Sequence, residues 1–218
     1  MNTFFLDRLN SEPHALAFAG QSTPWPVALA DQSANPALDE ALHTHAAAAQ
    51  ALLYPVSAEL LATTGRPVDL FGFEPNPARL GAAAAASASV PGIALTQLGA
   101  LLDAAALGYN PAQAKPVAVL GHSQGVLAVH MVQAICEAGS IDAAAAKIDE
   151  ILAIATLIGV AGTRQARQLG LAARHGEATP MLSVKDITRV QVDALIERVD
   201  GARGPIAVAV TNSATSAS

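Results

Sequence analysis

The sequence predicts an α/β protein built on a parallel sheet, and three observations point to it. An apolar β-type run at 116–120 leads through Gly121-His122-Ser123-Gln124-Gly125 into a helix-like run at 126–137. An earlier apolar run, 15–19, stops at Gly20-Gln21-Ser22-Thr23-Pro24, and α/β folds place their working loops at such strand ends. From Pro180 onward a strand, a helix and a second strand follow one another, a texture unlike the Ala-rich stretches before it.

Composition bounds the function classes. The 218 residues suffice for one sizeable core, or for a core with a small appended unit. With 52% hydrophobic and 14% charged residues the chain has a globular interior, and 18 acidic against 12 basic side chains without a Lys/Arg cluster exclude a nucleic-acid partner. The single cysteine, Cys136, has no partner for an internal disulfide and is expected as a packed thiol in an apolar helix, which fits a reducing cytoplasmic setting. Residues 1–10 contain Asp7 and Arg8 and no apolar stretch of signal-peptide length, and the apolar run 151–162 is too short to span a bilayer. A soluble cytoplasmic protein is the expectation, with no membrane partner.

Taken in order, 15–19 is the first strand. Residues 37–62 are rich in Ala and Leu and read as helix, broken or kinked at Pro55. The stretch 71–79, with Pro75 and Pro77, is irregular, and 82–88 is an Ala-rich segment of helical or surface character. The next helix is expected to be capped by Ser89, with Pro91 in its first turn, Leu98, Leu101, Leu102 and Ala105 on one buried face, and Gly108 at its end. The strand at 116–120 admits Pro116 at its first position. The helix after it ends at Gly139, a residue suited to a left-handed C-terminal cap.

Asp142 opens another helix, whose core face the periodicity assigns to Ile151, Ile154, Leu157 and Ile158. Residues 181–184 form a strand, Val192, Leu195, Ile196 and Val199 a helical face, and 206–210 a second strand. That β-α-β unit is half of a ferredoxin-like split fold. The chain is therefore divided into a core at 1–178, expected to be incomplete, and the start of a ferredoxin-like subdomain at 179–218.

The strand–turn–helix around Ser123 has the form of a nucleophile elbow. A serine hydroxyl is a weak nucleophile, so it must be held at the tip of a tight turn, open to substrate and to a base. Gly121 and Gly125 let the backbone pass where a Cβ would clash.

Two separated motifs, Phe18-Ala19-Gly20-Gln21 and Gly121-His122-Ser123-Gln124-Gly125, together resemble the acyltransferase family of fatty acid and polyketide synthases. Ser89-Val90-Pro91-Gly92-Ile93-Ala94-Leu95-Thr96-Gln97-Leu98 and Leu157-Ile158-Gly159-Val160-Ala161-Gly162-Thr163 look closest to the N-terminal acetyltransferase domain of the bacterial type I fatty acid synthase. The resemblance implies an α/β-hydrolase-like parallel-sheet core with an inserted ferredoxin-like subdomain, only the first half of it present. It also implies a ping-pong reaction: Ser123 takes an acyl group from coenzyme A as an ester and yields it to the phosphopantetheine thiol of an acyl carrier protein. The oxyanion hole would be the backbone N–H groups of Gln124 and Gln21, one opening a helix and the other in a glycine turn.

The family's general base is a histidine that follows the ferredoxin-like insert, so no residue of this chain inherits that role. His122 should aim its ring away from the Ser123 hydroxyl, and His14, His43, His45, His130 and His175 are expected in structural or solvated roles. The expected partners are acetyl-CoA, an acyl carrier protein and further domains of a large homo-oligomeric synthase, with no cofactor or metal bound by this domain. Tested alone, the chain is expected to show little transacylation.

Malonyl-loading relatives pair malonate's free carboxylate with an arginine on the helix after the elbow helix. Alignment places Ile158 there, and a buried aliphatic side chain would leave that carboxylate desolvated and unpaired. Acetyl transfer, priming fatty acid synthesis, is the expectation. Arg164 and Arg167, a turn or two further on, keep a malonyl-CoA transacylase as the alternative. An α/β-hydrolase esterase or thioesterase would need an acid and then a histidine downstream, where only His130 and His175 remain. A non-catalytic piece of a multienzyme, with a vestigial elbow, is the reading from another class.

Overall fold

The computed structural model describes residues 8–20, 24–64, 70–71, 86–168, 184–199, 211–213 and 216–217. The chain divides into two compact units, Met1–Gly176 and Glu177–Ser218.

In the first unit, strand β1 (Ala15–Phe18) is followed by helices α1 (Trp25–Ser33) and α2 (Pro36–Leu52). Asn35 caps α2, its side-chain oxygen accepting from the Ala37 N–H at 3.2 Å, and Pro36 occupies the first helical position, where a missing N–H costs nothing. Pro55 falls in a 3-10 turn, Tyr54–Val56, that separates α2 from α3 (Ser57–Thr64), the break expected from the sequence. Most of the Pro-rich stretch 71–79 and of the Ala-rich stretch 82–88 lies outside the described residues.

Helix α4 (Ala86–Ala106) is the centre of this unit. Ser87 through Gly99 are all buried, so its N-terminal half is enclosed on every side. Among the described residues it is also the one helix long and apolar enough to cross a membrane, and 72% of that stretch is buried within the protein, as in a core helix.

Its start corrects the sequence reading. Ser89 does not cap α4; it is 3% exposed inside the helix, its hydroxyl without a partner, and Pro91 is an interior residue. The cap comes from another helix, because the Ser87 N–H donates to the Thr163 hydroxyl at 2.9 Å. The far end is as expected: α4 stops at Ala106 and Gly108 follows with φ 94°.

A single helical turn at Pro111–Ala114 precedes β2 (Ala118–Gly121), and then come α5 (Val126–Ala138) and α6 (Ile141–Gln168). Strand β2 pairs in parallel with β1, Ala15 opposite Ala118 through Phe18 opposite Gly121. Gly139 ends α5 in the left-handed region, φ 90°, and its N–H returns to the Ile135 carbonyl at 2.8 Å. The Ser140 hydroxyl then caps α6 by accepting from the Ala143 N–H at 3.1 Å.

Two burial expectations are corrected here. Cys136 is exposed, because α5 turns Leu127, Ala128, Met131, Val132, Ala134 and Ile135 inward and leaves Cys136 on the outer side. On α6 Ile151 is buried, but Ile154, Leu157 and Ile158 are 48%, 43% and 51% exposed. The buried face runs instead through Ala144, Ile148, Leu152, Ala155 and Gly159. Small residues mark it because α4 comes so close: a Cβ on Gly159 would strike the Ala86 carbonyl oxygen.

The core of this unit is filled where α4 meets α2, α5 and α6, by Leu42, Ile93, Leu98, Met131, Ile135 and Ile148 among others. One polar pair crosses it: His45 of α2 meets the Asp149 carboxylate of α6 at 2.6 Å, both nearly enclosed.

The second unit contains β3 (Val184–Lys185), α7 (Arg189–Val199), β4 (Thr211–Ser213) and β5 (Ser216–Ala217). Strand β5 lies between β3 and β4 and is antiparallel to both. Val192 is buried on α7, whereas Leu195 of the predicted face is 45% exposed. Of the strand expected at 181–184 only Val184 is among the described residues, where it opens β3, and the strand expected at 206–210 lies outside them.

Candidate active site

The parallel ladder brings the two sequence motifs together. It continues past the strands as the Val117 N–H to the His14 carbonyl at one end, 2.9 Å, and the His122 N–H to the Phe18 carbonyl at the other, 3.0 Å. From that second end the chain turns at Ser123–Gly125, a single 3-10 turn closed by the Gly125 N–H on the His122 carbonyl at 2.9 Å, and enters α5.

Ser123 is exposed at the tip, with φ 54°. A left-handed backbone is unfavourable for any residue with a Cβ, by about 1–2 kcal/mol, and is kept only where the surroundings impose it. Here they do. A Cβ on Gly121 would come within 2.5 Å of the Gly125 carbonyl group and 2.6 Å of the Val126 nitrogen, so the two glycines close the turn tightly around the serine.

Gly20, just past β1, leans on the same place. A Cβ on Gly20 would stand 2.8 Å from the Ser123 Cβ and 2.7 Å from the His122 carbonyl oxygen. Gln97 of α4 reaches the residue before Gly20, its Nε2 donating to the Ala19 carbonyl at 2.6 Å. Gln97 was not singled out from the sequence. The signal for it was an amide in the middle of a helix otherwise lined by Ile93, Ala94, Leu95 and Leu98.

Of the residues assigned to the site from sequence, Ser123 and Gln124 stand together in the elbow, and Gln124 is the middle residue of the turn that leads into α5, where amides lack an intrahelical acceptor. Gln21 lies outside the described residues, though Gly20 before it touches the elbow. Ile158 is on α6, half exposed beside Ile154 and Leu157. The guanidinium of Arg164 is taken by Glu59 at 3.1 Å, and the side chain of Arg167 lies outside the described residues.

Three described histidines are engaged elsewhere. His14 bonds the Tyr109 hydroxyl at 2.8 Å, His43 stacks on Phe71 with ring centres 3.6 Å apart, and His45 pairs with Asp149. His122 faces the turn after β1, its Nδ1 3.3 Å from where a Gly20 Cβ would be. His130 is exposed on α5, and His175 lies outside the described residues. Among the described residues no group of acidic, His or Cys side chains is arranged to hold a metal ion.

A cavity of about 270 Å³ opens between α2, α4 and α6, walled by His43, Ala46, Phe71, Pro91, Leu95 and Leu152 among others. No elbow residue lines it.

A family model described as "SAT: Starter unit:ACP transacylase in aflatoxin biosynthesis" matches residues 74–218, about two-thirds of the chain, with the elbow inside the match. The chain belongs to the starter unit:ACP transacylase family. No curated protein is significantly similar to it. As a member of the starter unit:ACP transacylase family it is an acyltransferase domain that serves an acyl carrier protein. The family's stated setting is starter-unit transfer in polyketide synthesis, so the expected tie to the bacterial fatty acid synthase in particular gains no support from the match.

Proposed function

We propose that Ser123 is the nucleophile that carries the starter acyl group of this transacylase. Its hydroxyl oxygen attacks the thioester carbonyl of an acyl-CoA, coenzyme A leaves as the thiol, and an oxygen ester remains on Ser123. The phosphopantetheine thiol of the carrier protein then attacks that ester, and Ser123 regains its proton. The observation that carries this reading is the left-handed Ser123, exposed between β2 and α5 and enclosed by two glycines that accept no side chain. Strain of this kind clusters at active sites.

Acyl transfer passes through a tetrahedral oxyanion, which backbone N–H groups aimed at it would stabilise. Gln124 supplies one from the turn that leads into α5, and the Gln21 N–H is the source proposed for the other. The general base in this reading is an imidazole from outside the described residues. We read the fold as α/β-hydrolase-like with a ferredoxin-like insert, supported by the parallel β1–β2 pair leading into the elbow and by the interleaved order of β3, β5 and β4.

Acetyl is the proposed starter. Desolvation of a malonate carboxylate is no longer the reason, because Ile158 is half open to solvent. What supports acetyl is that position 158 offers no cation and that Arg164 is engaged by Glu59. Acetyl-CoA carrying an isotopic label in its acyl group, given to the intact protein, should leave that label on the peptide containing Ser123. A carrier protein should then remove it, and Ser123→Ala should not acquire it. Label on another residue, or hydrolysis in place of transfer, would refute the proposal. Ile158→Arg should raise malonyl relative to acetyl transfer, and an unchanged ratio would remove Ile158 from the selectivity site.

A further inference from the structure

We propose that Gln97 is a positioning residue for this transacylase: its carboxamide holds the Ala19–Gly20 peptide against the Ser123 elbow. The inference rests on the reading of Ser123 as the nucleophile.

Gln97 is 8% exposed, on a stretch of α4 where Ile93, Ala94, Leu95 and Leu98 are all at 0%. Packing alone does not call for an amide there, since methionine would fill nearly the same volume without a polar group to satisfy. The amide is also only half used. Its nitrogen donates to the Ala19 carbonyl, and its oxygen is buried without any hydrogen-bond partner. A half-satisfied buried amide is a cost to the fold, so a return on it is sought in what the nitrogen holds.

What it holds is the first carbonyl past the sheet ladder. The Phe18 carbonyl is bonded to the His122 N–H, whereas the Ala19 carbonyl is bonded to Gln97. Gly125 also closes on this group, where a Cβ would come within 3.0 Å of the Ala19 oxygen. A trans peptide is planar, with its N–H opposed to its C=O, so fixing the Ala19 carbonyl also fixes the direction of the Gly20 amide. Gly20 in turn abuts Ser123. Gln97 thereby sets the position of the turn beside the nucleophile without touching the reacting atoms.

The test is single-turnover acylation of the intact protein by labelled acetyl-CoA. Gln97→Met should slow acylation of Ser123 by about 10- to 100-fold, up to the loss seen on removing an oxyanion donor. It should leave CoA binding unchanged and the thermal midpoint no lower than wild type. Acylation at the wild-type rate would overturn the proposal.

Gln97→Glu keeps the shape and decides the matter if the methionine variant does not fold. Only its neutral carboxyl can donate to the Ala19 carbonyl, so its acylation rate relative to wild type should rise as the pH falls; a ratio independent of pH would overturn the proposal. Label persisting on Ser123→Ala would instead refute the nucleophile itself, a failure recognisable apart from any Gln97 result.

Discussion

Gly125 stands so close to Phe18 that a methyl group on it would strike the Phe18 carbonyl oxygen. The obstacle is backbone on both sides, so no rotamer change can relieve it. Gly125→Ala should therefore push β1 and the elbow apart, destabilising the protein by roughly 1–3 kcal/mol in urea titration. It should also slow labelling of Ser123 by a fluorophosphonate, whereas labelling at the wild-type rate would show that the elbow tolerates the displacement.

Helix α1 is fitted to α4 through glycine in the same manner. Trp25 packs face-on where a Cβ on Gly92 would come within 2.5 Å of its ring. Trp25 is the single tryptophan of the chain and is 3% exposed, so its fluorescence reports on the packing around it, the Gly92 contact included. Gly92→Ala should shift the emission to the red and lower stability by roughly 1–3 kcal/mol. An unshifted spectrum would contradict it.

His45 and Asp149 couple α2 to α6 inside the core at 2.6 Å. Removing one partner leaves a nearly enclosed carboxylate without its donor. His45→Leu should cost about 1–3 kcal/mol in chemical denaturation, and the double variant His45→Leu/Asp149→Leu should recover most of it, since an apolar pair leaves no enclosed polar group without a partner. If the double variant is as unstable as the single one, the hydrogen bond between them is not what the pair contributes.

Desolvation, followed by the neighbouring Glu137 carboxylate, pushes the Cys136 thiol above the usual cysteine range. A raised thiol pKa means less thiolate at a given pH, and the thiolate is the reactive form. Alkylation of native Cys136 by iodoacetamide should therefore be slower than that of the unfolded chain at pH 8, with the two rates converging as both thiols ionise at higher pH. Faster alkylation of the native protein would reverse the assigned direction.

The parts of this fold that were legible in the sequence are those decided within a few residues. The elbow, the break at Pro55 and the left-handed cap at Gly139 each follow from local backbone demands that a short segment announces by itself. What was not legible depends on how closely distant segments approach. Periodicity marked Ile154, Leu157 and Ile158 as core, yet α6 turns Ala144, Ile148, Leu152, Ala155 and Gly159 inward, and at Gly159 the α4 backbone comes so near that no side chain fits. Ser89 had the chemistry of a cap, but the actual cap, Thr163, lies on another helix. Gln97 reaches a carbonyl 78 positions away, a relation that no local pattern encodes.

The pairing of β1 with β2 has a consequence for the order in which the molecule can assemble. β1 meets its partner about a hundred residues later in the chain, and such a non-local contact has to bear a large closure entropy before it is rewarded. The helices α1 and α2 can form from their own neighbours in the meantime, but the contacts that press on the Ser123 elbow from Phe18 and Gly20 form only once β1 is in register beside it. Maturation of the nucleophile is thus a late event in folding, and in a refolding time course Ser123 labelling should lag behind the helical signal.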